Sequence, residues 1–434
     1  MLSEGFFSSI CGPPIAANTA ISKDIGIYSQ VLAPTYTVKA TFKKSSCPRH
    51  GLAVSSSHIF AIQDQKAQLH VYSRARGSQE VLVSFAERIR SIALTGNTLI
   101  LGTTEGRLIL WETCTGRQVT TPPCHVQPIS CIAVTPHHVL SASEDSNINV
   151  WSLTRLLELD AQIESEPDLV LSNHRGAIVD LVAASSANPE SSICVSASKD
   201  KTCIIWNYQT GQVLRTLLFP TPPLCISMDP CARALYVGSS GGTVYLVDLF
   251  GDKPLLGYRA QEPPSIVVQV NEPLAVAEDD AGEMNCIAGN YDGTSILTGH
   301  ANGRILRWNL APSGTPMQLA NVNAAVTNII FSPIIPPEEE TLPVTVVKPS
   351  QTHRLHTFTS KLNEQASTTD SRFTKMFGAQ GFSSDTLQKA HMAFSSLDEV
   401  DQLETEAEEI SIPRISPKLL ASMKASTFSP ALGT

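Results

Sequence analysis

The amino-acid sequence predicts an all-β fold, a seven-bladed propeller with a C-terminal, partly helical or disordered tail. Two observations carry that prediction. First, the four tryptophans of the 434-residue chain all close the same kind of segment: Gly106-Arg-Leu-Ile-Leu-Trp111, Asn147-Ile-Asn-Val-Trp151, Thr202-Cys-Ile-Ile-Trp206 and Gly303-Arg-Ile-Leu-Arg-Trp308. Six residues before each stands a turn-type or acidic residue, Glu105, Asp145, Asp200 or Asn302. Strand, tight turn and strand at a fixed phase define a repeat protein. Second, degenerate copies put Tyr28, Tyr72 and Val247 in the tryptophan slot. Successive slots are then 44, 39, 40, 55, 41 and 61 residues apart.

Four of those intervals match one four-stranded blade of the WD-repeat type, and the two long ones mark blades with insertions. The N-terminal Ser8-Ser-Ile-Cys-Gly-Pro-Pro14 reads as a strand ending in a turn, and the first blade lacks a clear innermost strand. The fourth blade shows the pattern best. Ile129–Val134 is an inner strand, Val139–Ser143 the second, Glu144–Asn147 the turn and Ile148–Trp151 the third. The alternation has period two, and the turn residues supply the permissive backbone a hairpin needs. Each blade must bury both faces against its neighbours, so apolar residues occupy both alternating positions.

Seven blades need roughly 300 residues, which assigns 1–348 to the propeller. Beyond it, 349–383 reads as a flexible linker, 384–409 as an amphipathic helix candidate and 410–434 as a disordered tail. In the helix candidate Leu387, Phe394 and Leu397, then Val400 and Leu403, recur at helical spacing, with Ser384 and Asp385 suited to its start. Its apolar stripe has three candidate destinations: the propeller, a partner groove and self-association. Ser416-Pro417 and Ser429-Pro430 on the tail suit a proline-directed kinase. Two insertions are further candidate partner contacts, because loops carry function. Residues 155–170, with Leu156 and Leu157, suggest a short amphipathic helix, and 258–284 an acidic, proline-punctuated loop.

Net charge is −9, and the basic stretches, Lys39 to Arg49 and His353 to Lys375, are short. A protein built to grip phosphate backbones carries a basic face, so RNA contact is expected to be indirect or weak. No run approaches the ~18 apolar residues of a membrane helix, and the N-terminal segment has no basic leader. The ten cysteines form no Cys-x-x-Cys pair. Cys131, Cys194, Cys203, Cys225 and Cys286 lie in apolar strands, where cysteine behaves as a small hydrophobe, which points to a reducing compartment. Cys124, His125 and Cys131 are the one cluster suggesting zinc, without the close ligand pairs a structural site uses.

His125, Ser141 or Ser143, Asp145 and Trp151 recur one blade later as His174, Ser196 or Ser198, Asp200 and Trp206. A hydrolase would use such a set once, in a cleft. Repetition favours a structural network in which Asp accepts from His, His from Ser, and the indole N–H completes the chain. Gly238-Ser-Ser-Gly-Gly242 formally matches a nucleophile elbow, but a strand follows it where the elbow needs a helix. The residues indicate no catalytic site, cofactor or metal.

Gln65-Lys-Ala-Gln-Leu-His-Val-Tyr72 and Met228-Asp-Pro-Cys-Ala-Arg-Ala-Leu-Tyr-Val-Gly238 resemble two signatures of the fungal pre-rRNA-processing WD-repeat proteins of the Ipi type. Their animal counterpart is the WD-repeat subunit of the rixosome. The resemblance covers most of the propeller. It implies a non-enzymatic scaffold of a nuclear Rix-type complex, acting on precursors of the large ribosomal subunit and on removal of the second internal transcribed spacer. Implied partners are the protein subunits of that complex, the precursor subunit, a dynein-like AAA ATPase of ribosome assembly and a second copy of the chain. Members of that family can end in a long charged helix, whereas here Ser395, Ser396 and Asp401 interrupt the candidate. The alternative function is a WD-repeat adaptor of a chromatin or DNA-replication complex, because fold alone does not fix function.

Overall fold

A computed structural model of the chain describes residues 4–12, 26–33, 35–158, 166–184, 192–250, 254–256, 267–277, 281–310, 316–332 and 345–349, together with Lys389. The chain divides into two compact units, Met1–Arg354 and Leu355–Thr434. In the second only Lys389 is described, helical and exposed. The helix candidate with Leu387, Phe394 and Leu397 otherwise lies outside the described residues.

The first unit is a seven-bladed propeller, seven sheets whose first four strands pair antiparallel and, in all but the first blade, follow in chain order. Every tryptophan-slot residue lies on the third strand of its blade: Tyr28 on Gly26–Ala33, Tyr72 on Gln68–Ser73, Trp111 on Leu108–Glu112, Trp151 on Asn147–Ser152, Trp206 on Thr202–Asn207, Val247 on Thr243–Asp248 and Trp308 on Arg304–Asn309. The strand missing from blade one comes from the far end of the propeller. Ala325–Phe331 pairs with Glu4–Cys11, Phe7 facing Ile330 and Ser8 facing Ile329, and this closes the ring.

The core is divided among seven apolar clusters, each filling one seam between neighbouring blades. On Asn147–Ser152, Ile148 and Val150 face blade five while Trp151 faces blade three. Alternate side chains of a strand point to opposite faces, so one strand supplies two seams. Second-to-third turns and the loops entering each blade share one rim. First-to-second and third-to-fourth turns share the other, called the lower rim below.

Both insertions depart from expectation. Within 155–170 the helix is a four-residue turn, Leu153–Leu156, and 159–165 lie outside the described residues. Within 258–284, Val267–Gln269 adds a fifth strand to blade five, parallel to Gln212–Leu218, and Ala275–Val276 is the outer strand of blade six. Part of the presumed loop is therefore blade.

Residues 45–51 lie at the centre of the ring. Asn328 Nδ2 donates to Pro48 O at 2.7 Å, Ile92 N to His50 O at 2.9 Å and Arg49 Nη2 to Leu224 O, while His50 Nε2 bonds Val179 O at 3.0 Å. These partners sit on the innermost strands of blades one, three, six and five, and only a central segment reaches them all.

Candidate functional site

The His–Ser–Asp–Trp sets assemble in blades four and five with one geometry. His125 leads into blade four, Ser141 lies mid-way along His138–Ser143, Asp145 opens the next turn and Trp151 ends the third strand. Trp151 Nε1 donates to Ser141 Oγ at 3.1 Å, Ser141 Oγ lies 3.0 Å from His125 Nε2, and His125 Nδ1 lies 3.1 Å from Asp145 Oδ2. A carboxylate only accepts, so Nδ1 carries the proton and Nε2 accepts from the serine. In blade five the distances are 2.9 Å for Trp206 to Ser196, 2.7 Å for Ser196 to His174 and 3.2 Å for His174 to Asp200. Ser143 and Ser198 serve differently, donating to Gln127 O and Gly176 O and so pinning each entry loop to the turn.

The carboxylates are tightly held. Burial alone would raise the Asp145 carboxyl, but bonds from His125 and from the Asn147 and Val126 N–H groups outweigh it and hold it below its ordinary range. Asp200 is held lower still: burial is again opposed, here by His174, Thr202 and the Arg175 N–H. Ser146 and Lys201, next in each turn, adopt positive φ, as do glycines 106, 242 and 303 at the same point of blades three, six and seven.

Blade seven holds a third network with its histidine moved. Trp308 Nε1 donates to Thr298 Oγ1 at 2.7 Å, Thr298 lies 2.9 Å from His300 Nε2, and His300 Nδ1 bonds Gly282 O at 3.3 Å. His300 is fully buried, and burial lowers its pKa. It stands at the position of Ser143, two residues after the hydroxyl, so Thr298-Gly-His300 in the frame of Ser141-Ala-Ser143 was the signal available in the sequence.

Nothing in these networks suits a reaction. Ser141 and Ser196 are fully buried and already accept an indole N–H, so neither oxygen can meet a substrate. Both ring nitrogens of His125 are engaged, and Cys124 Sγ bonds Gly106 O. Among the described residues no group of three metal-ligating side chains forms. Burial pushes the Cys124 thiol up to about 11 and that of Cys286 up to about 12, while Cys131, Cys194, Cys203 and Cys225 are buried in strands. Gly242 is a turn residue at φ +70°, and Thr243–Asp248 after it is a strand.

Two surface expectations need correction. Leu156 is buried, 3% exposed, in the seam with Leu110, Val139 and Trp151, and Leu157 packs partly against it. The short helix turns its apolar side onto the seam, so Leu156 is core and cannot meet a partner. Arg49 is not part of an exposed basic run. It reaches inward to Leu224 O, while Lys43 and Lys44 are exposed.

The WD domain, G-beta repeat, model matches residues 116–152 and 165–207, the two blades with complete networks. The chain is 26% identical over 298 residues to the pre-rRNA-processing protein IPI3 of Yarrowia lipolytica, covering 67% of this chain and 69% of that one. It is 22% identical over 301 residues to crb3/ipi3 of Schizosaccharomyces pombe, also named for pre-rRNA processing, covering 63% and 67%. To human WD repeat-containing protein 18 it is 24% identical over 302 residues, covering 68% and 67%. The fold resembles the RRP9 WD40 repeats, with a TM-score of 0.51 at 16% identity, over 63% of this chain and 81% of that one. Blade architecture, repeat match and relatives agree: the chain is a WD-repeat propeller similar to the pre-rRNA-processing proteins of the Ipi type.

Proposed function

We propose that this protein is a non-enzymatic scaffold in ribosome biogenesis, a nuclear subunit of a Rix-type complex needed for maturation of the large ribosomal subunit and processing of the second internal transcribed spacer. The observation that carries the reading is the likeness to pre-rRNA-processing relatives across the propeller. The buried networks support it, since they use the residues a hydrolase would need to hold blades together. With a net charge of −9, protein partners supply most of the affinity: the other subunits of that complex, the precursor subunit and a dynein-like AAA ATPase. RNA contact is secondary.

The test is sedimentation of the tagged protein through a sucrose gradient, with and without RNase, combined with its depletion. Co-migration with precursor large subunits, and accumulation on depletion of precursors that retain the second spacer, is the expected result. Confinement to free or chromatin fractions with normal spacer removal overturns the proposal, as does hydrolytic activity of the purified protein.

A further inference from the structure

Trp111 differs from the other three tryptophans. Ten residues before Trp151, Trp206 and Trp308 stands a hydroxyl that accepts the indole N–H. Ten residues before Trp111 stands Leu101, fully buried and unable to accept. Trp111 is itself fully buried, and a buried N–H needs an acceptor. It donates instead to Val347 O at 3.0 Å, 236 residues further along the chain.

Val347 is held at both backbone groups, since its N–H donates to Thr113 O at 2.8 Å. Beside it Val346 is buried in the seam of blades two and three, with Phe60, Val83 and Trp111. Gly116 leaves the space: it sits at φ +75°, and a Cβ there would lie 2.7 Å from Lys348 O and 2.8 Å from Val347 Cγ1. Blade three is thus fitted to this segment at three points: the Trp111 indole donor, the Thr113 carbonyl and the side chain missing at Gly116 where the peptide passes. The Thr113–Gly116 turn is on the lower rim. At its end Arg117 Nη1 donates to Leu157 O at 2.9 Å and to Glu112 at 2.9 Å, so the blade-four insertion meets the same turn.

We propose that the foot of blade three is a peptide-docking slot whose resident is this chain's own Thr345–Pro349. The slot takes an extended pair of β-branched residues, reading one carbonyl through the Trp111 indole and one N–H through Thr113 O. By filling it, the chain latches Thr345–Pro349 to the lower rim of blade three.

Hydrogen exchange on the full chain tests this, with the wild type compared to Val346→Asp and Trp111→Phe. In the wild type the Val347 amide is protected. Val346→Asp raises its exchange at least ~10-fold, and Trp111→Phe, which removes one hydrogen bond, about 5-fold, with the inner strands of blades four to six unchanged. A fluorescein-labelled peptide of residues 342–350 binds the Val346→Asp chain and not the wild type, whose slot is filled. Val347→Pro keeps the apolar Val346 side chain but removes the N–H donated to Thr113 O, which releases the segment from the slot. It must likewise admit the peptide and shift the Trp111 indole resonance, which keeps the test open if Val346→Asp does not fold. A Val347 amide exchanging at the free-chain rate in the wild type overturns the proposal, as does equal peptide binding by wild type and variants.

Discussion

Asp200→Ala separates a structural network from a binding site. The substitution removes the acceptor of His174 Nδ1, of the Arg175 and Thr202 N–H groups and of Thr202 Oγ1. Arg175 is exposed, so its N–H regains water, but the fully buried His174 loses its charged acceptor and keeps only the Thr202 hydroxyl, 3.1 Å from Nδ1. Losing a hydrogen bond to a charged group costs roughly 1.5–3 kcal/mol, and the partly exposed bonds add little, so about 2–3 kcal/mol is expected. Unfolding entropy of about 2.1 cal/mol/K per residue over roughly 330 residues converts this to a fall in Tm of about 3–4 °C. Calorimetry of the purified full chain measures it, and Asp145→Ala should fall equally and additively, being in another blade. Trp206→Ala should cost more, about 3–5 kcal/mol, because it also opens a cavity in the seam. An Asp200→Ala protein with wild-type melting that no longer joins its complex would refute the reasoning and make Asp200 a contact residue.

Three further outcomes follow from the same structure. The Asp145 and Asp200 carboxyls are lowered in the folded state; their stabilisation is full above the ordinary carboxylate pKa of about 4 and is lost as pH falls through the folded values. Tm should therefore drop on acidification below about pH 4, and the drop should be shallower for Asp200→Asn, as thermal melts across pH 2–6 would reveal. Arg49→Glu should destabilise by about 2–3 kcal/mol through its lost charged hydrogen bond to blade six, whereas Lys44→Glu, on an exposed side chain, should change urea unfolding by less than about 0.5 kcal/mol. On the proposed function, with Phe394 and Leu397 as the partner contact expected from the sequence, Phe394→Asp with Leu397→Asp puts charge into that contact, so pull-down of the proposed complex subunits should weaken while the propeller melts normally.

The blade number and the placement of Trp151, Asp145, Trp206 and Asp200 were legible in the sequence, because alternation and turn residues act over a few positions and repeat with the blade. Of the candidate site, the two complete networks were readable for the same reason, although the choice of Ser141 over Ser143 lay in the tertiary structure. What only the tertiary structure decided involves partners far apart in the chain. The innermost strand of blade one comes from Ala325–Phe331, His300 replaces an entry-loop histidine, and Val347 replaces the hydroxyl that Leu101 does not supply. Leu156 and Arg49 misled for a related reason. A short apolar or basic run looks the same whether it faces water or the interior, and which it faces is set by residues of other blades. Local pattern determined how each blade is made; ring closure, across more than 300 residues, determined which unmet donors and empty spaces remained and which distant residues fill them.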